Sequence, residues 1–132
     1  LLGTRRAFVV HGHDGLDEIS VCAPTRITEL RNDAIRTYDL HPDRFFGEYA
    51  DAADLRGGDP QENAAITRRI LEGAPGPRRH IVLLNAAAAL VAAGRADSLE
   101  QGLAAAGEAV DSGRAAAKLD ELVRFTREAA LG

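Results

Sequence analysis

The stretch Val9-Val10-His11-Gly12-His13-Asp14-Gly15-Leu16-Asp17-Glu18 gathers three carboxylates and two imidazoles around two glycines. Two kinds of metal chemistry are open to such a set. Adjacent carboxylates offer hard oxygen ligands, and Mg²⁺ is typically held by one or two carboxylates, with water and substrate phosphates completing its shell. Asp17 and Glu18 therefore point to a Mg²⁺ site serving a phosphorylated ligand. Imidazole suits zinc instead, and His11 and His13, flanking Gly12, are the residues a zinc-dependent hydrolase would use. That pattern is broken: Gly15 and Leu16 stand where His-x-His-x-Asp-His requires its Asp and its last His, and His41 and His80 lie in unrelated contexts. A plainer reading needs no ligand, because Asp14-Gly15 is a turn dipeptide and acidic loops are commonly solvated. On spacing alone the turn outweighs the metal site.

Positioning these residues is the task of the elements around them. Phe8, Val9 and Val10 fit a buried strand, and Gly12 and Gly15 permit backbone angles that other residues avoid. The acidic loop then sits at the carboxyl end of a strand, where ligands of α/β sheets gather. Residues 19–22 read as a further short strand interrupted by Pro24, as at an edge or bulge. Residues 25–30 and 34–40 alternate and are rich in β-branched side chains, so with Arg31-Asn32-Asp33 as the turn they predict an antiparallel hairpin leaving the main sheet. Phe45, Phe46 and Tyr49 anchor the polar connector that follows, although three close aromatics could also form a ligand platform.

From Asp59 the period becomes helical. Asp59 is a good N-cap, Pro60 suits the first helical position, and Glu62 completes capping-box spacing. Ile66, Ile70 and Leu71 form the inward stripe, and Gly73 with Pro75-Gly76-Pro77 ends the helix. Residues 79–93 predict a second helix, apolar on all sides and hence buried in the domain centre. Its one central polar residue, Asn85, must tie neighbouring backbone or face the active crevice. Ser98 and Gln101 cap a third helix with Leu99, Leu103, Ala106 and Val110 inward. Asp111-Ser112-Gly113 introduces a fourth, with Leu119, Leu122, Val123 and Thr126 inward and Asp120 spaced to pair with Arg124.

Composition narrows the function classes. The chain has 132 residues, suited to one domain, with 45% hydrophobic and 27% charged residues. A formal net charge of −4 argues against a nucleic-acid surface, which requires clustered Lys and Arg. Arg5-Arg6, Arg68-Arg69 and Arg78-Arg79 are isolated pairs, expected on solvated faces. The longest apolar run, residues 81–93, is too short for a membrane span. Cys22 alone cannot form an internal disulfide, which fits a reducing cytoplasm, and it is expected to pack in a strand. The opening Leu1-Leu2-Gly3 looks like the last residues of a helix, so the chain reads as a piece of a longer protein.

Four ordered motifs carry a resemblance: residues 9–18, Gly57-Gly58-Asp59-Pro60-Gln61-Glu62-Asn63-Ala64, Ile81-Val82-Leu83-Leu84-Asn85-Ala86-Ala87-Ala88-Ala89-Leu90, and Asp111-Ser112-Gly113-Arg114-Ala115. In order and spacing they resemble the C-terminal part of the anthranilate phosphoribosyltransferase family over nearly the whole chain. The resemblance implies an α/β fold, the C-terminal part of the nucleoside phosphorylase/phosphoribosyltransferase catalytic domain over 1–132: an incomplete sheet with an antiparallel hairpin, followed by four helices. It implies transfer of phosphoribose from 5-phosphoribosyl 1-diphosphate to anthranilate in tryptophan biosynthesis, with Mg²⁺ held by Asp17 and Glu18, and a homodimer for the full-length enzyme. It reverses the order of readings for the acidic pair and turns His11 and His13 into loop-shaping residues. The family's Gly-Thr-Gly-Gly-Asp loop, its Lys-His-Gly-Asn segment and its small helical N-terminal domain have no counterpart here, so the chain alone is expected to lack turnover. A noncatalytic nucleic-acid-binding relative and a zinc hydrolase are the alternatives.

Overall fold

The computed structural model describes residues 3–129; the helix end expected at Leu1-Leu2 lies outside them. The alternating pattern of residues 25–40 becomes two strands, β2 (Thr25–Arg31) and β3 (Ala34–Leu40). Asn32 and Asp33 join them with φ of 51° and 60°. Two consecutive left-handed residues match the right-handed twist of a hairpin, and Asn and Asp tolerate that conformation better than most side chains. β1 (Arg6–Gly12) pairs antiparallel with β2, with Val10 opposite Ile27, and the sheet order is β1-β2-β3. The hairpin is therefore no excursion from another sheet; among the described residues it continues the sheet that β1 begins.

Strand periodicity divides the sheet into two faces. Phe8, Val10, Ile27, Tyr38 and Leu40 face the helices and join one core cluster. The other face is open, and Val9 keeps 69% of its surface exposed. β1 is thus half-covered rather than buried. Residues 19–22 form no strand: Ile19, Ser20 and Val21 are buried, but their segment bends. Side chains replace a strand neighbour there. Asn85 accepts from the Ile19 N–H at 2.9 Å and donates to the Ile19 carbonyl at 2.8 Å, while the Ser20 N–H donates to Thr25 Oγ1 at 2.9 Å.

The connector contains two short helical turns that alternation and capping did not foretell, α1 (Asp43–Phe46) and a 3₁₀ turn (Ala52–Leu55). Phe45 and Phe46 pack on the core as expected, whereas Tyr49 is exposed and its hydroxyl lies 2.9 Å from His41 Nδ1. Phe46 also stacks on His80 at 4.1 Å. Burial lowers the His80 pKa, and the nearby Arg79 charge adds to the shift.

Four longer helices follow. α2 (Pro60–Leu71) starts as its sequence requires, with Asp59 accepting from the Glu62 N–H at 2.8 Å. α3 (Pro77–Ala92) buries two faces. Leu84 and Ala88 meet the sheet cluster, and Leu83 meets Ala106 and Val110 of α4 (Leu99–Asp111) in a second cluster. Val82 and Ala89 stay exposed, so α3 is not enclosed on all sides. Ser98 caps α4 by accepting from the Gln101 N–H, but Gln101 turns its own side chain to the Asp97 N–H.

α5 (Arg114–Ala129) contains no fully buried residue. Leu119 and Val123 are half-buried, but Leu122 is 56% and Phe125 68% exposed, and Thr126 is exposed too. The expected inward stripe is therefore only partly covered, because α5 packs along one margin of α2 and α4. Asp120 pairs with Arg68 of α2 at 3.1 Å instead of Arg124. The other arginine pairs also act between elements. Arg6 donates to the Val91 carbonyl at 2.6 Å, and Arg79 meets Asp111 at 2.8 Å.

Two glycines of α4 generate opposite expectations. A Cβ on Gly102 would lie 2.7 Å from the Ala87 carbonyl oxygen, so α3 and α4 touch there backbone to backbone. One on Gly107 would meet only the tip of Arg79 at 4.0 Å. In urea denaturation Gly102→Ala should cost about 1–3 kcal/mol through overpacking, while Gly107→Ala should add about 0.5–1 kcal/mol through helix propensity. A second expectation concerns His80. Its folded pKa lies below 6.5, so the unfolded chain binds more protons as pH falls and stability drops below that value. Denaturation midpoints should be lower at pH 5.5 than at pH 7.5, and His80→Phe should narrow the difference.

Candidate metal-binding site at the end of the first strand

β1 ends at Gly12, where the chain closes a tight turn. Gly12 N–H donates to the Leu16 carbonyl at 2.8 Å, Gly15 N–H donates to the Gly12 carbonyl at 2.9 Å, and His13 N–H reaches the Pro24 carbonyl at 2.9 Å. Both glycines are required, for different reasons. Gly15 has φ of +90°, and a Cβ on Gly12 would collide with Asp14 Oδ1 and press on Leu16 at 3.2 Å.

The three carboxylates of the loop divide their work. Asp14 is consumed by structure: Oδ1 accepts from the Leu16 N–H at 3.3 Å, and Oδ2 accepts from the buried Ser20 hydroxyl at 2.6 Å. The same hydroxyl oxygen accepts from the Cys22 N–H at 2.9 Å and the Ala23 N–H at 3.2 Å. Asp17 and Glu18 are exposed, and neither enters an ion pair among the described residues. Two free, hydrated carboxylates in sequence are a donor set suited to a hard cation that keeps much of its water.

The histidines belong elsewhere. His11 projects on the open face of the sheet opposite Arg26. His13 Nε2 lies 3.1 Å from Asp39, which also receives Arg26 Nε at 2.5 Å. The hydrogen bond from Arg26 is the main reason the Asp39 carboxyl is lowered to about 2, with His13 contributing less. No group of three or more metal-binding side chains forms among the described residues. A zinc centre on His11 and His13 therefore lacks a third ligand, and His13 already has a carboxylate partner. Cys22 lies in a bend, not a strand, and burial followed by the charge of Asp14 raises its thiol pKa, which disfavours a nucleophilic thiolate.

Spacing alone did not reveal the groove beside Glu18. It encloses about 300 Å³ between Leu16 and Glu18 on one side and Gly57, Asn63, Thr67 and Arg78 on the other. Asn63 braces its rim by accepting from the Gly58 N–H at 2.8 Å and donating to the Gly58 carbonyl at 2.9 Å. Arg78 donates to the Arg56 carbonyl at 2.6 Å, and its Nε is buried without a partner among the described residues. The Gly57-Gly58 pair was the available signal, since a side chain at either position would strike Asn63 or Glu62.

Known proteins place this arrangement in context. The chain is 59% identical over 128 residues to the anthranilate phosphoribosyltransferase of Desulfosudis oleivorans, covering 96% of this chain and 38% of that protein. The Syntrophobacter fumaroxidans enzyme of the same name is 60% identical, with 97% and 38% covered. The chain thus spans little more than a third of the length of these curated relatives. Among solved structures, the anthranilate phosphoribosyltransferase of Thermus thermophilus superposes with a TM-score of 0.81 at 39% identity, covering 92% of this chain and 36% of that one. The Saccharomyces cerevisiae enzyme in complex with PRPP and Mg gives 0.74 at 28% identity, with 86% and 33% covered. Residues 1–116 match the family model described as the glycosyl transferase family, a/b domain, and the chain belongs to that family.

Proposed function

We propose that residues 1–132 are the C-terminal part of the α/β catalytic domain of a Mg²⁺-dependent anthranilate phosphoribosyltransferase. The full-length enzyme would work as a cytoplasmic homodimer in tryptophan biosynthesis, joining anthranilate to the phosphoribosyl group of 5-phosphoribosyl 1-diphosphate and releasing pyrophosphate. The observation that carries this reading is the division of the loop carboxylates. Asp14 is spent on Ser20 and Leu16, which leaves Asp17 and Glu18 free at the strand end. Likeness to enzymes of that name, one of them solved with PRPP and Mg, supports it.

Bound Mg²⁺ supplies neutralisation of the charge that builds on the leaving diphosphate as C1 of the ribose becomes cation-like. The work of this chain's residues is to hold the ion. Asp17 and Glu18 present oxygens at the loop crest, and Gly12, Asp14 and Ser20 fix the loop beneath them. The diphosphate-cradling loop and the Lys-His-Gly-Asn segment do not occur in this sequence. Nucleic acid is an unfavoured partner for a chain of net charge −4.

Replacing the matching segment of the Thermus thermophilus enzyme with this chain gives a direct test, read from the loss of anthranilate fluorescence. The chimaera should form phosphoribosylanthranilate, and Asp17→Asn or Glu18→Gln should each lower kcat/KM on the order of a hundredfold. Full activity in the doubly substituted chimaera would sink the assignment of the pair. Stoichiometric zinc lost on substitution of His11 and His13 would favour the hydrolase.

A further inference from the structure

The two flanks of the acidic pair are held very differently. On the side of Glu18, the next residue is Ile19, whose side chain is 1% exposed in the sheet-facing core and whose backbone N–H and C=O are both taken by the amide of Asn85. The second Asn85 N–H donates to the Ile81 carbonyl at 3.0 Å, so the amide is fixed to its own helix as well. One residue further, Ser20 is gripped by Thr25 through its N–H and by Cys22, Ala23 and Asp14 through its hydroxyl. On the side of Asp17, the preceding Leu16 is tied, among the described residues, only into the turn, through its carbonyl to Gly12 and its N–H to Asp14.

We infer that Asn85 is a positioning residue for the metal site, acting through Glu18. By clamping both backbone groups of Ile19, it sets the backbone of Glu18 one peptide bond away, so that Glu18 is the pre-set ligand and Asp17 the adaptable one. This rests on the assignment of the acidic pair to a divalent cation made above. A carboxamide is the suitable group, because it alone among uncharged side chains offers an acceptor for one N–H and two donors for two carbonyls. A ligand held in place before binding loses less freedom when the ion arrives.

The test uses the whole chain with Mn²⁺ alone as the probe, its free concentration read by electron paramagnetic resonance. Asn85→Ala should weaken Mn²⁺ binding about tenfold, the scale on which outer partners of metal ligands act. Val110→Ala, in the second core cluster and away from the loop, should lower the melting temperature while leaving Mn²⁺ affinity within about twofold of wild type. In a double-substitution cycle the Asn85→Ala effect should persist with Asp17→Asn and vanish with Glu18→Gln.

Unchanged affinity in Asn85→Ala, or an equal loss in both carboxylate backgrounds, overturns the inference while the metal site stands, provided Glu18→Gln itself weakens binding. Wild-type affinity in the Asp17→Asn/Glu18→Gln double variant, or no Mn²⁺ binding by the wild-type chain, overturns the metal site and this inference with it. Should Asn85→Ala not fold, Asn85→Asp is read by the same criteria, since it keeps the acceptor for the Ile19 N–H and loses the donor to both carbonyls.

Discussion

Helix α3 must bury two faces at once, and the rest of the molecule is arranged to let it. Leu84 and Ala88 close against the sheet, while Leu83 and Ala87 meet α4, whose Gly102 lets the two backbones come together. A helix with this much apolar surface has no stable place at a domain margin. Its alanines keep both approaches short. A partly buried polar side chain on such a helix needs partners, and Asn85 finds three of them, two on a segment that runs over the helix. What begins as a packing requirement thus becomes the means of holding an irregular loop.

That loop shows how one run of acidic residues can hold two kinds of carboxylate. Asp14 accepts from a backbone N–H and a buried hydroxyl and so behaves as part of the scaffold. Asp17 and Glu18 remain in water. The distinction lies in where the backbone turns: Gly12 and Gly15 fold the chain back so that Asp14, though exposed, reaches the buried Ser20 hydroxyl, and the next two acids fall on the crest. Carboxylates left without partners among the described residues are those free to exchange water for an ion.

Much of this was legible in the sequence, and for identifiable reasons. The hairpin followed from alternation and its Asn-Asp turn, and the start of α2 from Asp59, Pro60 and Glu62, because local hydrogen bonds decide such features. The four motifs carried the family. Misreadings arose where distant residues settle local form. Residues 19–22 have strand-like composition, yet their partners are Asn85 and Thr25, not a neighbouring strand. Arg68 and Arg69 are exposed as expected, but Arg6 and Arg79, also read as solvated, are partly buried and tie elements together, Arg6 to Val91 and Arg79 to Asp111. Along α5, periodicity marked a face but could not say how much of it would be covered, and Leu122 and Phe125 stay in solvent.

The clamp on Ile19 separates the acidic motif from the geometry that gives it meaning. Every residue of the motif lies within the first eighteen, but the side chain that grips Ile19, just past its far end, is 66 positions from that residue. A chain cut before Pro77 would keep the histidines, the glycines and both free carboxylates in their familiar spelling and yet lose what grips the backbone beneath them. Two proteins can therefore share this motif letter for letter and differ in how firmly its crest is held, with the difference written in a helix that no search of the loop alone would consult.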